Sequence, residues 1–174
     1  LLERELVTKR GWIEFSVYPL FSPQTLIAEG TASLAAEMAF PGKERDEFER
    51  ERLFELAGLD PSSAPKYHKL LSLKRELRFV GLETARQFVD GNIDEEEAAN
   101  RLVASGLWPR DNAVQTVRFF ANSRSYYMTY IVGEDLVRAF IQKGTDVPPR
   151  GERWERFLSI LASPMTPGAL LSGY

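Results

Sequence analysis

Apolar residues recur at three- and four-residue spacing along most of this chain, and alternating apolar–polar runs are nearly absent. That period predicts helices, not strands. Residues 1–15 read as the end of a helix interrupted at Gly11. Ser22-Pro23 is a helix start, with the serine as N-cap and the proline in the first turn, and Pro41-Gly42 is the stop. The run between them is so apolar that its helix should be buried on most faces. Residues 43–55 reverse the pattern, with ten charged side chains in thirteen. They predict a water-facing helix laced by pairs such as Asp46 with Arg50 and Glu49 with Arg52.

After a turn at Gly58-Leu-Asp-Pro61, the residues Tyr67, Leu70, Leu73, Leu77, Val80, Thr84 and Phe88 form one long stripe expected to face a core. Asp90-Gly91-Asn92 ends it, and Asp94 with Glu97 three residues on is an acidic capping box opening a helix through about Ala104. Trp108-Pro109 starts the next helix, with Ala113, Val117 and Phe120 inward. A helix follows over 126–142 and a proline-containing loop over 144–151. An amphipathic helix over 153–162 carries Trp154, Phe157, Leu158 and Leu161, and a last start stands at Thr166-Pro167. The pattern predicts an all-α fold, an irregular bundle of seven or eight helices in a single domain over residues 1–174.

Composition narrows the function classes. A hydrophobic share of 44% supports a sizeable core. A net charge of −3, with Lys and Arg interspersed among Asp and Glu, argues against a nucleic-acid partner. The longest uncharged stretch near the amino terminus, residues 15–28, is short and broken by Pro19 and Pro23, so no membrane span is expected. The absence of cysteine excludes disulfides, thiolate metal sites and cysteine nucleophiles, and fits a reducing, cytoplasmic setting. The chain opens without methionine and inside a helical pattern, which leads us to expect a piece of a longer polypeptide.

Candidate chemistry concentrates on the apolar helix. Between residues 15 and 42 the charged side chains are Glu29 and Glu37 alone. With Ser33 they are spaced at four residues and line one side of a helix. A carboxylate in such surroundings must be paired, hydrogen-bonded or metal-bound to be tolerated. The single histidine, His68, reads as a surface or helix-start residue and cannot make a multi-histidine metal site.

The segment Leu26-Ile-Ala-Glu-Gly-Thr-Ala-Ser-Leu-Ala-Ala-Glu37 resembles the glutamate-bearing helix of a gluzincin-like group of bacterial zinc peptidases. Ala85-Arg-Gln-Phe-Val-Asp-Gly91 followed by Glu95-Glu-Glu-Ala-Ala-Asn-Arg-Leu102, and Arg124-Ser-Tyr-Tyr-Met-Thr-Tyr-Ile-Val-Gly133, are similar to later segments of that group. The resemblance extends over most of residues 1–143. It implies Glu29 as a zinc ligand, with Gly30 letting another backbone pack close, and a His-Glu…Gly-His-His motif just upstream of Leu1 in a longer parent. Glu37 would orient a ligand or bind a substrate amine; a buried helix-to-helix hydrogen bond is the equal alternative. Tyr130, Tyr127 and Arg124 would serve the oxyanion of a tetrahedral intermediate, against a purely aromatic packing role for the tyrosines.

The implied cofactor is zinc in the parent and none in this chain, and the implied substrate is a peptide. The departure from the group is the missing histidine pair, which makes these residues inactive by themselves. A different class stands beside this one: a non-catalytic helical interaction or scaffold domain with Glu29 and Glu37 as structural carboxylates. On either view an apolar face over residues 1–40 is expected to be exposed and to support a homo-oligomer.

Overall fold

The structure, a computed structural model, describes residues 3–17, 19–143, 145 and 148–172. These carry helices and no strand, so the fold is all-α. In chain order the α-helices are α1 (Pro23–Ala39), α2 (Lys43–Phe48), α3 (Phe54–Leu56), α4 (Ala64–Glu76), α5 (Arg78–Val89), α6 (Glu95–Ala104), α7 (Arg110–Ser123), α8 (Tyr126–Gln142), α9 (Arg150–Leu161) and α10 (Pro167–Ser172). A π-helical turn spans Arg4–Lys9, and Gly11, with φ of +71°, ends it where the sequence indicates a break. The expected opening helix lies partly outside the described residues, as does the loop expected at 144–151, whose last residues are already helical.

Two compact units divide the chain. The first comprises residues 1–38 and 132–174, the second residues 39–131. In the first, Ile27, Leu34 and Met38 of α1 meet Val137 and Ile141 of α8, Phe157 and Ile160 of α9, Met165, and Leu170 of α10. In the second, Ala85 of α5, Ile93, the residues Ala98, Ala99 and Leu102 of α6, and Ala113, Val117 and Phe120 of α7 form a core. The small residues on α6 let three helices approach closely, and removal of this apolar surface from water is the main stabilising term.

Local signals explain most element ends. The Asp94 carboxylate accepts from the backbone N–H of Glu97 at 2.8 Å, capping α6 as its sequence demands. The Ser22 hydroxyl is different. Thr25 N donates to the Ser22 carbonyl at 2.9 Å, but the Ser22 side chain is buried and makes no hydrogen bond among the described residues, so it is not the expected cap.

Two further expectations are corrected. The long stripe breaks at Leu77 between α4 and α5, and its first part is not core: Leu70 is 62% exposed and Leu73 44%. On α9, Phe157 is buried but Leu158 is 48% exposed. The charged segment is solvated as expected, yet only its ends are α-helical; Glu49–Leu53 winds as a π-helix. Among the described residues its ion pairs include Arg45 with Glu49 at 2.6 Å, at the four-residue spacing, and Arg50 with Glu51 at 3.0 Å, in place of the expected Asp46 with Arg50 and Glu49 with Arg52.

Candidate functional site

Helix α1 holds the candidate ligand, and its position is fixed by a backbone crossing. A Cβ added at Gly30 would lie 2.9 Å from Gly133 Cα on α8 and closer still to the Gly133 carbonyl; one added at Gly133 would strike the Leu26 carbonyl. Only glycine at both positions permits this approach. The close packing expected at Gly30 is therefore present, and its partner is the last residue of the Tyr130-Ile-Val-Gly133 segment. Glu29, immediately before the crossing, is half-buried.

Glu37, two turns later, is held by α8. Its two carboxylate oxygens accept from Arg138 Nη1 at 2.6 Å and Nη2 at 2.7 Å, a bidentate pair. Arg138 Nη2 also donates to Glu134 at 2.9 Å. The hydrogen bond to Glu37, together with that to Glu134, raises the guanidinium pKa against the opposing effect of burial. Of the two roles open to Glu37, the helix-to-helix bond is the one the geometry displays. Arg138 is absent from the sequence reading. Its four-residue spacing from Glu134 was visible in the sequence, but its contact with Glu37 crosses 101 residues.

The tyrosines and Arg124 lie in the second unit, whereas Glu29 lies in the first. The Tyr127 ring packs edge-on to Phe120 with centroids 4.8 Å apart, and its hydroxyl sits where a Cβ on Gly81 would come within 2.5 Å. Burial raises its pKa, as expected for a phenol in a packed core. Tyr130 is 36% exposed and meets Tyr126 edge-on at 5.6 Å. Arg124 is exposed and closes α7 with φ of +48° and ψ of −121°. Of these three residues, Arg124 thus has a backbone role, Tyr127 a packing role, and Tyr130 is a partly exposed tyrosine.

His68 is more engaged than a plain surface histidine. Its Nε2 lies 2.9 Å from Glu49 and its Nδ1 3.4 Å from Asp46, so α4 is tied to the charged segment through one imidazole. Glu49 also accepts from Arg45 at 2.6 Å. Burial of the Glu49 carboxyl opposes ionisation, but the bonds from Arg45 and His68 prevail and lower its pKa. The charge density of residues 43–55 hid this contact, because any of several carboxylates could have met the histidine.

Among the described residues no group of three or more histidine, aspartate, glutamate or cysteine side chains is gathered to hold a metal ion. A catalytic zinc needs three protein ligands and an open position. With one histidine, already seated between two carboxylates, these residues do not by themselves fit zinc. No helix is long and apolar enough to cross a membrane among the described residues. Comparison with family models, with curated proteins and with solved structures finds no match for the chain.

Proposed function

We propose that this chain is the glutamate-bearing helical part of a zinc peptidase-like protein, with Glu29 contributed to a metal site whose histidines come from a separate stretch of polypeptide. The supporting observation is the Gly30–Gly133 crossing, which fixes the backbone beside Glu29. A metal ligand must be held within a fraction of an ångström, and such a crossing supplies that rigidity. Glu37 is engaged by Arg138 in a bidentate pair and is not assigned to the metal. The chain alone supplies one ligand and no complete catalytic set.

The test is the zinc content of the natural polypeptide in which these residues occur, measured by mass spectrometry after dialysis. One zinc per chain is expected, with most of it lost in Glu29→Gln and retained in Glu37→Gln. Full zinc retention by Glu29→Gln would remove the reading's main support.

A second reading, a non-catalytic interaction domain, is favoured by a specific surface. Tyr67, Leu70 and Leu73 on α4 are exposed, and so are Leu53, Leu56 and Leu59 on the preceding segment. Exposed apolar side chains grouped in one stretch of sequence fit a docking role better than a catalytic one. Glutamate substitutions at Leu70 and Leu73 should then leave zinc content and melting temperature unchanged while abolishing association with partners.

A further inference from the structure

Within the second unit, α4 turns most of its surface to solvent. Ala64, His68 and Leu71 form its inner side. Tyr67, Leu70 and Leu73 step at three residues along the opposite side and are exposed. Lys66, Lys69 and Lys74 are exposed too, each four residues from one of those leucines and so on the same face. Among the described residues none of the three lysines pairs with a carboxylate.

Residues 43–76 carry equal numbers of cations and carboxylates, but the two signs are separated. The carboxylates lie in residues 43–60 with the exception of Glu76, and several are already held. Glu49 meets Arg45 and His68, Asp46 meets His68, Glu51 meets Arg50, and Asp60 caps its own turn. Those at His68 stand on the inner side of α4, across a helix about 10 Å wide. Over that distance physiological salt screens them from the outer side, the Debye length being about 8 Å. On α4 itself Glu76 is the one carboxylate against the three lysines, and Arg75 is engaged.

A partner laid along the outer side therefore meets leucine and lysine together. Lysines at four-residue spacing from the leucines fit a second helix with an apolar side and acidic flanks. A flat anionic membrane fits less well, because it would also meet the exposed carboxylates of Glu76 and of Glu47, which borders the start of α4.

We infer that the outer side of α4 binds an acidic amphipathic helix of a partner protein. The apolar side of that helix lies on Tyr67, Leu70 and Leu73, and its carboxylates meet Lys66, Lys69 and Lys74. The inference rests on the second reading above, that α4 is a docking face, and names the chemistry of the partner.

The test is fluorescence anisotropy on the full chain with a labelled peptide of three heptads, leucine at its a and d positions and glutamate elsewhere. The same peptide with lysine for glutamate, and vesicles of phosphatidylglycerol and phosphatidylcholine, are the comparison probes. Saturable one-to-one binding of the glutamate peptide is expected, weakening as salt rises. The triple variant Lys66→Glu, Lys69→Glu, Lys74→Glu should weaken it about tenfold or more and admit the lysine peptide, with an unchanged thermal melt. Glutamine at the same three positions should give an intermediate loss. Equal binding of the two peptides by the parent, lost in Leu70→Ser with Leu73→Ser, overturns the acidic partner and leaves the docking face standing. Glutamate-peptide binding that survives the two serine substitutions overturns the docking face as well. Binding of neither peptide also overturns the inference: co-sedimentation with the vesicles then assigns the face to lipid, and a lysine-dependent dimer assigns it to a second copy.

Discussion

Arg124 holds a backbone conformation that belongs to glycine, with φ of +48° and ψ of −121°. The side chain is exposed, so nothing in the packing compensates the strain. Arg124→Gly should therefore stabilise the protein by about 1 kcal/mol in urea denaturation. An unchanged or lower stability would show that the guanidinium itself contributes.

At Glu49 the sign of the pH effect follows from its lowered pKa. A carboxyl depressed in the folded state contributes stability above its unfolded pKa, and that contribution is lost as pH falls through the folded value. Glu49→Gln should be less stable than the parent at pH 7, and the difference should close as acid protonates the parent. Denaturation curves across the acid range check this.

Among elements, the helix crossing gives a contrast within one residue type. Gly133→Ala forces a Cβ into the Leu26 carbonyl and should cost about 3 kcal/mol or more, as overpacking against backbone does. Gly151, in the first turn of α9, has nothing within 4 Å of an added Cβ. Gly151→Ala should instead stabilise by about 0.5–1 kcal/mol. Thermal melts of the two variants should move in opposite directions.

The same contrast marks what the sequence could convey. Elements whose determinants are local were legible: Asp94 with Glu97, the inward face of α7 at Ala113, Val117 and Phe120, and the limits of α8. The stripe through Leu70 and Leu73 was misjudged, because periodicity marks an apolar face and not whether another element covers it. The site was legible in its glutamates and in Gly30, whose partner at Gly133 lies in another segment named for the same resemblance. Arg138 was not, since its role arises from a contact more than a hundred residues away in the chain.

On the scale of the molecule, residues 39–131 are a continuous segment with their own buried core. Such a segment meets the ordinary requirement for independent folding. Excised, it should give a helical circular dichroism spectrum and a single cooperative urea transition. A spectrum without helix would show that its helices depend on the rest of the chain.

The first unit cannot be cut out in this way, because its halves are the two ends of the chain. During synthesis α1 leaves the ribosome long before α8. The partner of Glu37 arrives 101 residues later, and the glycine that Gly30 packs against is separated from it by as long a stretch of chain. At about 5–20 residues per second, α1 waits on the order of 5–20 s with its apolar face and its carboxylates unmatched. That interval is far longer than helix formation or collapse, which take microseconds. The nascent chain therefore passes through a stage in which its greasiest helix is made and has no place to go. Crosslinking of stalled nascent chains should find holdase chaperones on α1 at lengths short of residue 133, and should lose them once α8 has emerged.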